Sequence, residues 1–194
     1  MEALVDPLRV LHVVTAVLMA WPFYALVAVN QRARLGPPLG DRADTLIENI
    51  VKNRVVPCFV FQGTALVTGA GLMMTSGLGW SSLVTTPALG LKFLLLVLMG
   101  VLLSYVSLRI QPEIDALFAR GGGMPSGDVA TRIGVLRLRR KRLAALCFSG
   151  VLTATVLGVQ LWSAMSTWII VALVAAVGVF AWRAYSSTTP YGWF

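Results

Sequence analysis

The sequence has few charged residues. Only 12% of the 194 residues are Asp, Glu, Lys or Arg, whereas a soluble domain carries about 25%. Apolar residues make up 57% of the chain, and the mean hydropathy is +0.80. These values exclude an ordinary soluble domain and predict an integral membrane protein.

Histidine and cysteine are also scarce. The chain has one histidine, His12, and two cysteines, Cys58 and Cys147, which lie far apart in sequence. This scarcity excludes a local disulfide framework and a local zinc site. A single histidine also excludes a haem held by two histidines of one protein copy.

Acidic side chains are missing from the long apolar runs. All eight Asp and Glu residues lie outside these runs. Transporters that relay protons use carboxylates within the membrane. A small transporter is therefore the least favoured functional hypothesis.

Apolar runs of sufficient length to cross a bilayer indicate the fold class. A hydrocarbon core about 30 Å thick requires about 20 helical residues at about 1.5 Å each. We therefore predict a single all-α membrane domain over residues 1–194, a bundle of about five transmembrane helices. The last apolar run is about twice the required length, so it should turn near Ser163–Thr167. The predicted helices cover residues 10–29, 55–76, 87–108, 143–162 and 167–185.

Basic residues between the apolar runs predict the orientation. Five lie between the first and second predicted helices and eight between the third and fourth, with none in the other two connections. Because Lys and Arg are retained on the cytoplasmic side, residues 31–54 and 109–142 should be cytoplasmic loops. The N-terminus should then be outside and the C-terminus inside a bacterial cytoplasmic (inner) membrane. This clustering indicates a lipid bilayer as partner rather than nucleic acid.

This orientation places several unusual side chains in one outer-leaflet layer. The layer holds the only histidine, the only lysine within an apolar run and a group of methionines: His12, Lys92, Met73, Met74 and Met165. Imidazole and thioether together suit haem iron or Cu(I), so His12 is a candidate metal ligand, with Met73, Met74 or Met165 as a second ligand. Alternatively, His12 and Lys92 handle protons or an anionic substrate. In the third interpretation Lys92 extends to the headgroups and His12 only makes a polar contact.

Two further groups are candidates for contact with lipid or with a partner subunit. One is the basic run before the fourth helix, Arg137, Arg139, Arg140, Lys141 and Arg142, which resembles a positive-inside anchor. The other is the aromatic tail, Tyr191, Trp193 and Phe194, because aromatic residues favour the headgroup zone.

Two short motifs carry a family resemblance. Leu11-His12-Val13-Val14 followed by Trp21, together with Gly90-Leu91-Lys92, resembles the small helical membrane families related to the copper-resistance D proteins and the HemJ-type protoporphyrinogen oxidases. The resemblance implies a histidine early in helix one and a lysine at the start of helix three, which correspond to His12 and Lys92. The chain departs from the family pattern at Ala20–Phe23.

Two functional hypotheses follow. The first is a non-catalytic membrane subunit that packs within, or assists, a larger bacterial membrane complex, because small-residue faces are abundant and reactive groups are few. The alternative is a haem- or copper-handling membrane protein, or a HemJ-like oxidase, that uses His12 and Lys92. Haem b and copper are the cofactors that the alternative implies.

Overall fold

The computed structural model describes residues 2–20, 40–122, 124–161, 163 and 165–188. This part of the chain is helical and contains no strand. We number its helices in chain order: α1 Glu2–Met19, α2 Arg42–Lys52, α3 Val55–Thr75, α4 Ser82–Thr85, α5 Pro87–Tyr105, a π-helical turn Val106–Ile110, α6 Gln111–Arg120, α7 Gly127–Gln160 and α8 Thr167–Ser186.

Four apolar helical segments are long enough to cross a membrane. They are Arg42–Thr75, Pro87–Arg120, Gly127–Gln160 and Thr167–Ser186. The all-α, multi-pass membrane architecture expected from the sequence is thereby confirmed. The first predicted helix, residues 10–29, falls partly outside the described residues, within which α1 begins already at Glu2 and ends at Met19.

The two predicted loops, residues 31–54 and 109–142, are largely helical where they are described. Helix α2 lies in the first loop and α6 in the second, while α7 begins at Gly127 instead of residue 143. The helices extend beyond the apolar runs because Arg, Lys, Leu and Ala are good helix formers. The side chain of Asp41 also caps α2 by accepting a hydrogen bond from the Asp44 amide at 2.6 Å.

Three of these segments are longer than a bilayer core is thick. Each has 34 residues, and a straight helix of that length spans about 50 Å against about 30 Å of hydrocarbon. The excess lies at one end of the bundle, where α2, α6 and the first half of α7 form what we call the extension. Its apolar core consists of buried aliphatic side chains: Ile110, Ile114, Leu117, Ile133 and Leu136.

The membrane part is a chain of pairwise helix contacts. Helix α1 packs on α3, α3 on α5, α5 on α7, and α7 on α8. The small-residue row Gly150, Ala154 and Gly158 faces α5. A Cβ atom at Gly150 would lie 3.1 Å from the Met99 sulfur, so this glycine makes room for a side chain of the neighbouring helix.

Candidate functional site

A cavity lies between α1, α3, α5 and α7. Its volume is about 420 Å³, which is within the range of about 300–1,000 Å³ that is usual for small-molecule sites. Its walls are almost entirely aliphatic or aromatic, and its ionisable lining side chains are His12 and Lys92. An apolar cavity with very few convergent polar groups is typical of a binding site.

A threonine orients the ring of His12. The Nδ1 atom of His12 lies 2.8 Å from the hydroxyl oxygen of Thr68. The Thr68 hydroxyl is itself 2.7 Å from the backbone carbonyl of Thr64, to which it donates its only proton. Thr68 must therefore accept from His12, which assigns the proton to Nδ1 in the neutral ring. In that tautomer the lone pair lies on Nε2.

The imidazole fits closely against α3 at a glycine. A Cβ atom at Gly69 would lie 3.3 Å from Cε1 of His12. This is tighter than ordinary van der Waals contact, so Gly69 leaves the space that the ring occupies. Thr68 and Gly69 are consecutive, and together they position the histidine from one turn of α3.

Lys92 approaches the cavity from α5 and lies against α7. A Cβ atom at Gly158 would lie 3.0 Å from Nζ of Lys92. Lys92 and His12 line the same cavity. The structure therefore brings together the two groups that the sequence assigned to one layer.

The set of methionines that line the cavity differs from the set that the sequence predicted. Met73 is buried and lines the cavity, whereas the side chain of Met74 is 70% exposed and does not line it. The two methionines differ because consecutive helical residues point in directions about 100° apart. Met19 and Met99 also line the cavity, although sequence reasoning missed both. Met99 lies deeper than the predicted layer, and no sequence signal marks it.

The basic run of α7 is a second polar centre, and only part of it is exposed. Arg137, Arg140 and Lys141 are buried, with Arg137 only 1% exposed. These three side chains share one helix face, because they lie at i, i+3 and i+4, and that face points into the extension and not to the surface where contact with lipid or a partner was predicted. Arg139 is exposed and Arg142 is partly exposed.

Carboxylates on α2 neutralise the buried arginines. Arg137 donates to both oxygens of Asp44, at 3.0 and 3.1 Å, and its Nε donates to Glu48 at 3.1 Å. Arg140 also donates to Glu48, and to Gln111 on α6 at 2.6 Å. These five side chains, which we call the ion cluster, connect α2, α6 and α7.

The ion cluster changes the titration of Glu48, which lies outside the apolar spans. Burial alone would raise the pKa of this carboxyl group, but the charges and hydrogen bonds of Arg140 and Arg137 more than offset it. The resulting pKa is about 2, against an ordinary value of 4.5. Glu48 therefore remains ionised at any physiological pH.

The other predicted contact residues, Tyr191, Trp193 and Phe194, lie outside the described residues. Within the described ranges no group of three or more His, Cys, Asp or Glu side chains could hold a metal ion. Comparison with protein-family models, curated proteins and solved structures finds no match for this chain.

Proposed function

We propose that the chain is a multi-pass protein of the bacterial cytoplasmic membrane with five spans, its N-terminus outside and its C-terminus inside. Four apolar segments and the extension support this topology, because the extension carries most of the basic residues and these favour the cytoplasmic side. The remaining span, which is the first in chain order, would begin with helix α1.

Within that topology we propose that the cavity binds a tetrapyrrole, haem b or a porphyrin precursor. The observation that carries this proposal is the ring of His12, which lines an apolar cavity while its Nδ1 is held by Thr68. Histidines that bind metals typically donate their second ring N–H to an oxygen in this way. Apolar walls suit the body of a macrocycle.

The residues present fit one ligand to the iron and one positive charge that pairs with a carboxylate. His12 would ligate the iron, and the thioethers of Met73 and Met99 line the same cavity. The ammonium group of Lys92 would pair with a carboxylate of the ligand, which is more favourable in a low-dielectric site than in water. When bound, the group would supply electron transfer or ligand exchange at iron.

A haem titration of the purified chain in mild detergent tests the proposal. Wild-type protein should give a Soret band that saturates at one haem per chain, and His12→Ala should lose it. The matched control is Thr155→Val. Thr155 lines the same cavity, but its hydroxyl donates to the Val151 carbonyl of its own helix, so the band should remain.

The ester of the same ligand tests the role of Lys92. Lys92→Met should weaken binding of haem b but leave binding of its dimethyl ester unchanged, because the ester has no carboxylate for the ammonium group. Equal affinities of wild type and Lys92→Met for both ligands would contradict this assignment. Stoichiometric Cu(I) that depends on His12 and Met73, with no haem binding, would favour the copper alternative.

The second candidate is a non-catalytic subunit of a larger membrane complex. Its support is the one-sided packing of α8, which contacts mainly α7 and leaves Trp168 and Trp182 84% and 70% exposed. Such a face can bind a neighbouring helix as well as lipid. Purification from native membranes in mild detergent distinguishes the two candidates. A monomer that retains a Soret band and co-purifies with no partner would contradict the subunit role.

Reporter fusions test the topology. A reporter that is active only outside the cytoplasm should be active when fused at Trp80, in the connection before α5, and inactive at Gly122, in the extension. The reverse pattern would contradict the proposed orientation.

A further inference from the structure

Two arginines of α7 differ from the other cations of the basic run. Arg137 and Arg140 have carboxylate partners, and Lys141 donates to the backbone of Ser187 at 3.0 Å. Arg139 and Arg142 have no ion pair with any residue in the described part of the chain. Three cations thus point into the protein, and two lie on another face of the same helix.

Each of these arginines lies over the ring of a tyrosine. The guanidinium carbon of Arg139 lies 5.3 Å from the ring centre of Tyr105, and that of Arg142 lies 5.3 Å from that of Tyr185. A tyrosine ring attracts the guanidinium charge without accepting from its N–H groups as an oxygen would. Nε of Arg142 is buried and has no hydrogen-bond partner among the residues that the structure describes, which is uncommon for a charged donor.

Both pairs lie near the boundary between the apolar runs of the sequence and the extension. Tyr105 is the last residue of α5, and Tyr185 is the residue before the last of α8. The apolar half of α7 begins at Leu143, directly after Arg142. Tyrosine at the end of an apolar helix is typical of the headgroup zone. The guanidinium groups of both arginines are therefore at the depth of lipid phosphates.

We propose that Arg139 and Arg142 form a headgroup site for an anionic phospholipid, with Tyr105 and Tyr185 holding the two guanidinium groups at phosphate depth. Arginine can donate two parallel hydrogen bonds to a phosphate. Residues three apart on a helix are neighbours, so both side chains can reach one headgroup. The net positive charge at this level favours phosphatidylglycerol over the zwitterionic phosphatidylcholine.

Native mass spectrometry of the full chain in detergent tests the site. Wild-type protein should retain phosphatidylglycerol in preference to phosphatidylcholine. The double variant Arg139→Gln/Arg142→Gln should bind phosphatidylglycerol about 30-fold more weakly, since each basic residue near the surface contributes about 1 kcal/mol. The variant Arg139→Lys/Arg142→Lys should be intermediate, because lysine keeps the charge but lacks the planar fork.

The matched control removes the same two charges elsewhere in the extension. Arg132→Gln/Arg120→Gln changes exposed cations away from the apolar segments, and lipid retention should remain within about twofold of wild type. A similar loss in both double variants, or no loss in either, would overturn the proposal. Displacement of the lipid by millimolar inorganic phosphate or by polyglutamate would also overturn it, because the site would then bind a soluble anion or an acidic protein. Unchanged circular dichroism of the lysine variant verifies that the comparison is made on folded protein.

Discussion

Replacing Arg137 with methionine should destabilise the protein far more than replacing any exposed arginine. Arg137 is 1% exposed and donates to both oxygens of Asp44 as well as to Glu48. Methionine retains much of the volume but removes the charge, so Asp44 loses two hydrogen bonds and Glu48 loses one. Removing one partner of a buried ion pair typically costs about 3–5 kcal/mol.

The exposed pair of Arg132 and Glu113 provides the reference. Its atoms are only 2.6 Å apart, but the two side chains are 67% and 40% exposed. Pairs exposed to solvent contribute about 0–1 kcal/mol. Arg132→Met should therefore be almost neutral, although the distance in this pair is shorter than in the buried one.

Thermal unfolding in detergent, followed by circular dichroism, measures the difference. For a chain of this size about 1 kcal/mol corresponds to about 2–4 °C, so Arg137→Met should lower Tm by about 10 °C and Arg132→Met by no more than about 3 °C. The double variant Arg137→Met/Asp44→Asn should lose less than the sum of its single variants, since the two side chains interact. Equal small effects of both arginine substitutions would refute a buried ion cluster.

Three further predictions concern the cavity, the connection before α5 and the pH dependence. Thr68→Val should weaken haem binding about 10- to 100-fold in the same titration, because the Nδ1–H of His12 loses its acceptor; an unchanged affinity would contradict the assigned orientation of the ring. Gly90→Ala should lower Tm by several degrees, because the new Cβ would lie 2.3 Å from the backbone oxygen of Leu83, whereas Gly63→Ala, with nothing within 4 Å, should leave Tm unchanged or raise it. The folded-state pKa of Glu48 is about 2, below its ordinary 4.5, so its stabilising contribution is present above pH 4.5 and is lost as the pH falls towards 2. In a plot of Tm against pH, Glu48→Gln should therefore lose less stability than the wild type below pH 4.5. Identical plots for the two proteins would show that this carboxyl group does not cause the loss.

The apolar spans could be predicted from the sequence, but helix rotation could not. Runs of about 20 apolar residues are sufficient to locate a span. They do not indicate which side faces protein, because lipid and helix interfaces are both apolar. Met73 and Met74 illustrate the limit, since they share a depth and only Met73 lines the cavity.

Only part of the candidate site could be predicted from the sequence, for the same reason. Depth alone placed His12 and Lys92 together, and both line one cavity. Thr68 carries no sequence signal, because threonine is common in membrane helices and its role depends on the rotation of α3 relative to α1. Gly69 gives no signal for the same reason.

The ion cluster was missed because its partners are remote in sequence. Asp44 and Arg137 are separated by 93 positions, and positive charges beside an apolar run are explained equally well by anchoring. Two local signals were nevertheless available. Asp41 precedes a helical segment as an N-cap should, and Arg137, Arg140 and Lys141 share one helical face.

The most direct test of the central claim is the absorption spectrum of the chain purified from its native membrane, with and without His12. A Soret band in the wild type that is absent from His12→Ala and preserved in Thr155→Val is the expected result. A wild-type spectrum without such a band, or a band that persists in His12→Ala, would contradict a tetrapyrrole held by His12 in this cavity.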